Sequence, residues 1–265
     1  MAEQITSTQN PKIKNILKLQ QKSSERKKQH LIVIEGLREI ELAKRSGTAL
    51  KSIFFCAEII SEDEIIKRFH PISSIFEISL DIYKKLAYRG STEGLIALGE
   101  PKYLTLNELT LRRNPLVIVL ESVEKPGNLG AILRTADAAH VDAVIISDPL
   151  TDIYNPNIIR SSIGCVFTTQ VVACSSDIAI AWLKKNEIKM YAASLKATEN
   201  YHQKDYKGPT AIVMGTEAFG LTEKWLQNCD EQIIIPMRGA IDSLNVSTSA
   251  AILVFEAMRQ RNFYP

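Results

Sequence analysis

The stretch LVIVLESVEKPGNLGAILRTADA, residues 116–138, decides the fold. Its first five residues are an uninterrupted apolar run of strand length, the pattern of a strand buried on both faces in a parallel sheet. A loop holding Gly127, Asn128 and Gly130 follows, and then an apolar helix expected over about 129–139. Strand, glycine-rich turn and helix make half of a βαβ unit, and the rest of the chain repeats the alternation. Strands are expected at 143–147, 169–173, 189–193, 211–214 and 232–235. Helices are expected from Pro156 and over 177–186, 221–227 and 246–259. The back half therefore reads as an α/β domain with a parallel sheet covered on both faces.

The same alternation runs upstream on a smaller scale. Asn10-Pro11 reads as a helix cap and first helical residue, opening a Lys-rich helix with Ile13, Ile16 and Leu17 that fades near Gln29. Strands at 31–34, 52–56, 75–78 and 95–98 alternate with helices at 35–45, 62–69 and 80–87, the first ended by Gly47 and the last capped by Ser79. Between the halves lies a polar, weakly patterned stretch that includes Arg112-Arg113 and Asn114-Pro115. The expected organisation is a small α/β domain over 1–105, a linker over 106–115 and the parallel-sheet domain over 116–265.

The chain has 265 residues, with 32 basic against 30 acidic side chains. Residues 1–113 hold 19 basic and 14 acidic residues, net +5, leaving net −3 for 114–265. A basic front half suits a polyanion, and equally a solvated Lys-rich helix. Its candidate phosphate contacts are Lys12, Lys14, Lys18, Arg26, Lys27, Lys28 and Arg89. The four cysteines form no C-x-x-C pair, which favours reduced thiols in a cytosolic protein over a disulfide framework or a zinc site. No apolar run approaches the ~18 residues of a membrane span.

In open parallel sheets ligands sit beyond the carboxyl ends of the strands. Four loops there carry polar groups. In the first, Gly127, Asn128 and Gly130 set backbone N–H groups at a helix start, and Arg134 projects from an otherwise apolar helix; turn chemistry and a structural ion pair account for the same residues. In the second, Met214-Gly215-Thr216-Glu217 runs on to Gly220-Leu221, and Glu217 either serves a site or caps the next helix. The third runs from Ile235-Pro236-Met237-Arg238-Gly239 to Ser243-Leu244-Asn245-Val246-Ser247, with three hydrogen-bonding side chains at a helix start. The fourth, from Ser194 to Gly208, reads as a mobile lid or a rim. The chain lacks G-x-G-x-x-G, a Walker A loop, G-x-S-x-G and H-E-x-x-H, and its four histidines are scattered. Dinucleotide binding, phosphate-loop hydrolysis, the esterase elbow and metal chemistry are therefore unsupported.

Taken together and in this order, Asn128-x-Gly130-x-x-x-Arg134-Thr135-Ala136, Gly215-x-Glu217-x-x-Gly220-Leu221 and Ile235-Pro236-Met237-x-Gly239 with Ser243-Leu244-Asn245-Val246-Ser247 closely resemble the three motifs of the SpoU/TrmH family. These are RNA ribose 2′-O-methyltransferases of the SPOUT superfamily. The front half is similar to the family's substrate-binding domain at residues 32–38 and 91–98. The resemblance implies a C-terminal trefoil knot, S-adenosylmethionine as cofactor, RNA (ribosomal before transfer RNA) as substrate and a homodimer with a shared site; the cysteine usage is what points to a cytoplasmic location. It places the cofactor at Ser194, Met214, Gly215, Ile235, Met237 and Leu244. It makes Arg134 the catalytic arginine, with Asn128, Glu217, Ser243 and Asn245 ordering the site. Arginine is a demanding general base because it stays protonated, so positioning a phosphate and stabilising a developing alkoxide is the more physical role. A non-catalytic RNA-binding or ribosome-assembly protein of the same fold is the competing reading. One departure is His140, where the family has a glycine; His tolerates the left-handed conformation better than most residues.

Overall fold

The apolar run at 116–120 forms an inner strand of a six-stranded sheet, with every one of its five side chains out of solvent. In the computed structural model, which describes residues 2–88 and 93–263, the front of the chain holds β1 (Glu3–Ile5), α1 (Pro11–Gln21), α2 (Ser23–Gln29), β2 (Ile32–Glu35), α3 (Leu37–Arg45), β3 (Leu50–Phe55), α4 (Glu62–Phe69), β4 (Ile75–Ile78), α5 (Leu80–Leu86) and β5 (Leu95–Gly99). There follow β6 (Leu116–Glu121), α6 (Pro126–Ala138), β7 (Ala143–Ser147), α7 (Pro156–Ser161), α8 (Cys165–Thr168), β8 (Val171–Cys174), α9 (Ser176–Lys185), β9 (Lys189–Ala193), β10 (Thr210–Met214), α10 (Glu223–Asn228), β11 (Glu231–Ile233) and α11 (Val246–Gln260).

The described residues divide into two units. The first runs to Lys102 and includes Tyr154–Thr168; the second is Tyr103–Ile153 with the residues from Thr169 on. The first unit has a sheet of order β1-β4-β3-β5-β2, in which β5 runs antiparallel to both of its neighbours. Ile13, Ile16 and Leu19 of α1 recur at helical spacing and pack on Val33, Phe54, Ile82 and Ile96. Asn10 caps α1, accepting from the Lys12 N–H at 2.8 Å. The expected continuous helix is two helices, broken where Lys22 turns extended.

The second unit has a wholly parallel sheet of order β11-β9-β10-β6-β7-β8. Val117, Val119, Ile145 and Val213 meet Leu183 of α9 and Trp225 of α10 in its core. Burying apolar side chains of this size stabilises by about 1.5–3 kcal/mol each. From β11 at the sheet edge the chain returns to α11, which packs on α6 and on the inner strand β10.

Two features depart from the expected organisation. Residues 106–115 are no bare linker: Leu106 is buried in the second core, Leu109 and Leu111 pack against it, and Leu104 bridges Val172. The polar look of this stretch conceals an every-few-residues leucine that the sheet end covers. The segment 154–168, read as part of the back domain, belongs by its contacts to the first unit, where α7 packs on β2 and α8 on α3. His140 takes φ +49°, so the turn without glycine is made in the left-handed form.

Candidate active site

The site builds from the carboxyl end of β10. Gly215 follows that strand, and its neighbours close a short hairpin in which Thr216 and Gly220 exchange backbone hydrogen bonds at 3.1 and 2.9 Å. A side chain at 215 would place its Cβ 2.1 Å from the Gly220 carbonyl oxygen, so only glycine fits. Gly220 itself sits at φ +68°. The hairpin holds Glu217 at its tip.

Glu217 does not cap the next helix. Glu121, buried at the end of β6, does that work instead, accepting from the N–H and hydroxyl of Thr222 at 2.8 and 2.7 Å. Glu217 accepts from the Lys125 ammonium and from the Asn128 amide. Asn245 joins them: its Nδ2 donates to Asn128 Oδ1 at 3.1 Å and to Glu217 Oε1 at 3.3 Å. Its Oδ1 accepts from the Ser247 N–H at 2.9 Å and hydroxyl at 2.6 Å, capping α11. One amide thus ties a helix start to the carboxylate. Asn128 lies in the first turn of α6, because that helix begins at Pro126 rather than near 129.

Beside this cluster opens a cavity of about 340 Å³ within the second unit. Ser194, Met214, Ile235, Met237 and Leu244 line it, with Glu217, Ser243 and Asn245 on its wall; Gly215, between the lining residues Met214 and Thr216 in the chain, does not itself line it. Ser243 donates to Asp242 at 3.0 Å and does not join the amide cluster. Among the described residues the N–H and C=O groups of Ile235, Met237 and Leu244 enter no hydrogen bond. A flat heteroaromatic ring with donors and acceptors on its edge suits a cavity of apolar walls and free main-chain groups.

Other expected residues fall elsewhere. Arg134 is exposed on α6 and lines no part of this cavity, and its side chain makes no hydrogen bond or ion pair among the described residues; the ion-pair reading of it is not supported. The stretch from Ser194 to Gly208 is no free lid: Ile234 donates to Glu199 at 2.9 Å, Tyr201 donates to Ile234 at 3.0 Å, and Tyr206 is buried against Tyr191. Of the candidate phosphate contacts, Arg26 is buried and closes the end of α1, donating to the Leu19 carbonyl at 2.6 Å. A lysine-rich run gave no sign of which cation turns inward. Lys14, Lys18, Lys27 and Lys28 are exposed; Lys12 is exposed too but pairs with Glu3 at 2.9 Å. Arg89 lies outside the described residues. Lys125 escaped the sequence reading, although Lys125-Pro126 has the form of a cap followed by a first helical proline.

Comparison with known proteins agrees with this geometry. The SpoU rRNA Methylase family matches residues 115–255, and the MRM3-like substrate binding domain matches residues 10–97. The 23S rRNA (guanosine(2553)-2′-O)-methyltransferase RlmP of Bacillus subtilis is 32% identical over 255 residues, covering 96% of this chain and 98% of the relative. The 23S rRNA (guanosine-2′-O-)-methyltransferase RlmB of Ralstonia nicotianae is 34% identical over 178 residues, 65% of this chain and 72% of that one. Among solved structures, an RNA 2′-O ribose methyltransferase superposes with TM-score 0.86 at 38% identity over 98% of this chain and 99% of its own. An AdoMet-bound rRNA methyltransferase from Sinorhizobium meliloti superposes with TM-score 0.87 at 26% identity, over 97% and 98%. A parallel α/β unit with a ligand cavity at its strand ends, joined to a substrate-binding unit, is thus an RNA methylase architecture. The chain belongs to the SpoU rRNA methylase family.

Proposed function

We propose that the chain is an S-adenosylmethionine-dependent methyltransferase acting on ribose 2′-hydroxyls of ribosomal RNA. The observation that carries this reading is the Asn128–Glu217–Asn245 cluster on the wall of the cavity. Ser194, Met214, Gly215, Ile235, Met237 and Leu244 would hold the cofactor, with main-chain groups at Ile235, Met237 and Leu244 reading its base. The cofactor supplies an electrophilic methyl group. The ribose oxygen would bond to that carbon as the carbon–sulfur bond breaks, the electron pair staying on the departing thioether sulfur of S-adenosylhomocysteine and the hydroxyl proton passing to solvent water. Glu217, held by Asn128, Asn245 and Lys125, keeps negative charge beside the cavity and orders its wall. Ser243 lines the same wall.

Arg134 stabilises the developing alkoxide and positions the RNA phosphate. Because it stands outside this chain's own cavity, it acts in the cavity of a second copy, within a homodimer whose sites draw on both chains. The return from β11 to α11 is where the family's knot belongs. The first unit is the RNA-docking unit, with Lys14, Lys18, Lys27 and Lys28 as its exposed phosphate contacts. Ribosomal rather than transfer RNA is the substrate, in keeping with the names of the two 23S rRNA relatives. A cytoplasmic enzyme fits four free cysteines; among the described residues no helix is long and apolar enough to cross a membrane.

Mapping of 2′-O-methyl groups on ribosomal and transfer RNA, from cells with and without the protein, tests this. The expected result is one or a few ribosomal positions that vanish with the gene. Unchanged maps on both RNAs, or calorimetry showing no S-adenosylmethionine binding, would overturn it in favour of the non-catalytic reading.

A further inference from the structure

Resting on the RNA-modifying reading above, we infer that Arg112, Arg113, Lys207 and Arg261 form a second RNA contact, a phosphate-binding site at the end of the sheet opposite the cofactor cavity. These residues line a cavity of about 430 Å³ together with Asn114 and Asn262. Arg112, Arg113 and Asn114 precede β6, and Lys207 precedes β10. The candidate active site lies beyond the other ends of these two strands, about 20 Å away at ~3.3 Å per residue.

The charges there are poorly compensated. Arg261 spends its donors on main-chain oxygens: Tyr206 at 2.8 Å, Asn114 at 2.6 Å and Gly208 at 2.7 Å. This staples the two strand entrances together but neutralises nothing. Arg112 pairs with Asp142 at 2.8 Å, yet its Nη1 is buried without a partner. Arg113 and Lys207 are exposed, and neither side chain has an ion-pair partner among the described residues. Asp142 answers Arg112, and the Asp205 carboxylate accepts from the Lys207 N–H at 3.0 Å, so two carboxylates stand beside four cations. Burial and the neighbouring Arg112 push the Arg261 guanidinium below its ordinary pKa, against the pull of Asp142. The surplus of positive charge that these carboxylates leave uncancelled is relieved by an anion from outside. Guanidinium forks beside side-chain amides match phosphate oxygens in particular.

The test uses the full chain and the variant R113A/K207A, whose two exposed side chains make no hydrogen bond or ion pair among the described residues. Binding of a ribosomal RNA transcript is measured against salt, and thermal midpoints are measured with inorganic pyrophosphate. Methyl transfer to the same transcript is followed in parallel. The wild type is expected to show a steep salt dependence. In the variant, log K against log salt flattens by about 1.5, as when two phosphates are no longer neutralised, at ~0.7–0.9 each. Pyrophosphate is expected to raise the midpoint of the wild type and not of the variant. A variant slope equal to that of a wild type that does transfer methyl groups overturns this inference alone. Stabilisation by pyrophosphate with an unchanged RNA slope makes the site one for free anions, and also overturns it. A wild type that neither binds nor methylates RNA overturns the functional reading, and this inference with it.

Discussion

Asn245 and Asn128 stand 117 residues apart in the chain and share a hydrogen bond of 3.1 Å, the amide of one donating to the amide oxygen of the other. The same Asn245 turns its own oxygen to the backbone of α11. The start of the C-terminal helix and the site wall thereby share one side chain.

This division of labour separates two substitutions. N245D keeps the capping oxygen, loses the donor and sets a second carboxylate against Glu217; N245A loses cap and donor together. The stability of N245D should stay near that of the wild type, whereas N245A should fall by about 1 kcal/mol. Both should slow single-turnover methyl transfer on the order of 100-fold, as when one positioned donor is lost. Urea titration and rapid-quench transfer assays measure the two effects. Full activity in N245D would show that Asn245 is a helix cap and nothing more.

Arg134 lies outside the cavity of its own chain. R134A is therefore expected to leave S-adenosylmethionine affinity within about twofold by calorimetry, while the transfer rate drops by about 10²–10³. R134K should recover little, because an ammonium cannot reproduce the guanidinium fork. A largely active lysine variant would remove Arg134 from the centre of the reaction.

At Gly215 the obstacle to a side chain is backbone, which cannot swing aside. G215A should cost about 1–3 kcal/mol by overpacking and displace the hairpin carrying Glu217, weakening S-adenosylmethionine binding at least about tenfold. Gly208 has nothing within 4 Å of the added carbon, and G208A serves as the control. Thermal melts and calorimetry on both variants decide the matter.

Asp142 is almost fully buried and accepts from the Arg112 side chain and from the N–H groups of Arg112 and Leu116 at 3.0 and 2.7 Å. Burial alone would raise its pKa, but these donors together hold it below the ordinary carboxylate range. A depressed folded pKa means stability present above the unfolded value, near pH 4, and lost as pH falls through the folded one. D142N should cost about 3 kcal/mol at pH 7, since it leaves Arg112 without a counter-charge. The gap between variant and wild type in urea midpoints should narrow below about pH 4. A gap that stays constant to pH 3 would contradict the assignment.

Much of this was legible in the sequence. The run at 116–120 marks a buried parallel strand because no polar residue interrupts it. The three polar loops are expected at strand ends, and Asn128, Glu217 and Asn245 from them meet within hydrogen-bond reach. What escaped did so for physical reasons. Arg26 reads like its neighbours Lys27 and Lys28, since nothing local says which cation will meet the carbonyls left open at the end of α1. Glu121 reads as the last residue of a strand, although it caps a helix that begins at 223. Lys125 meets Glu217 only through a long-range contact. Partnerships across about a hundred residues leave no periodicity behind.

The placement of Tyr154–Thr168 in the first unit bears on synthesis and on grafting. That unit cannot complete its packing on the ribosome until residue 168 has emerged, when more than half of the chain has been made. Its nascent core must wait, open, for a piece encoded after the first two strands of the catalytic sheet. Nor can the first unit be exchanged by a single cut: a graft ending at residue 102 would leave Ile158, Ile159 and Val166 behind as orphaned apolar surface. The two units are in this sense interleaved along the chain, and a boundary drawn at any single residue leaves one of them incomplete.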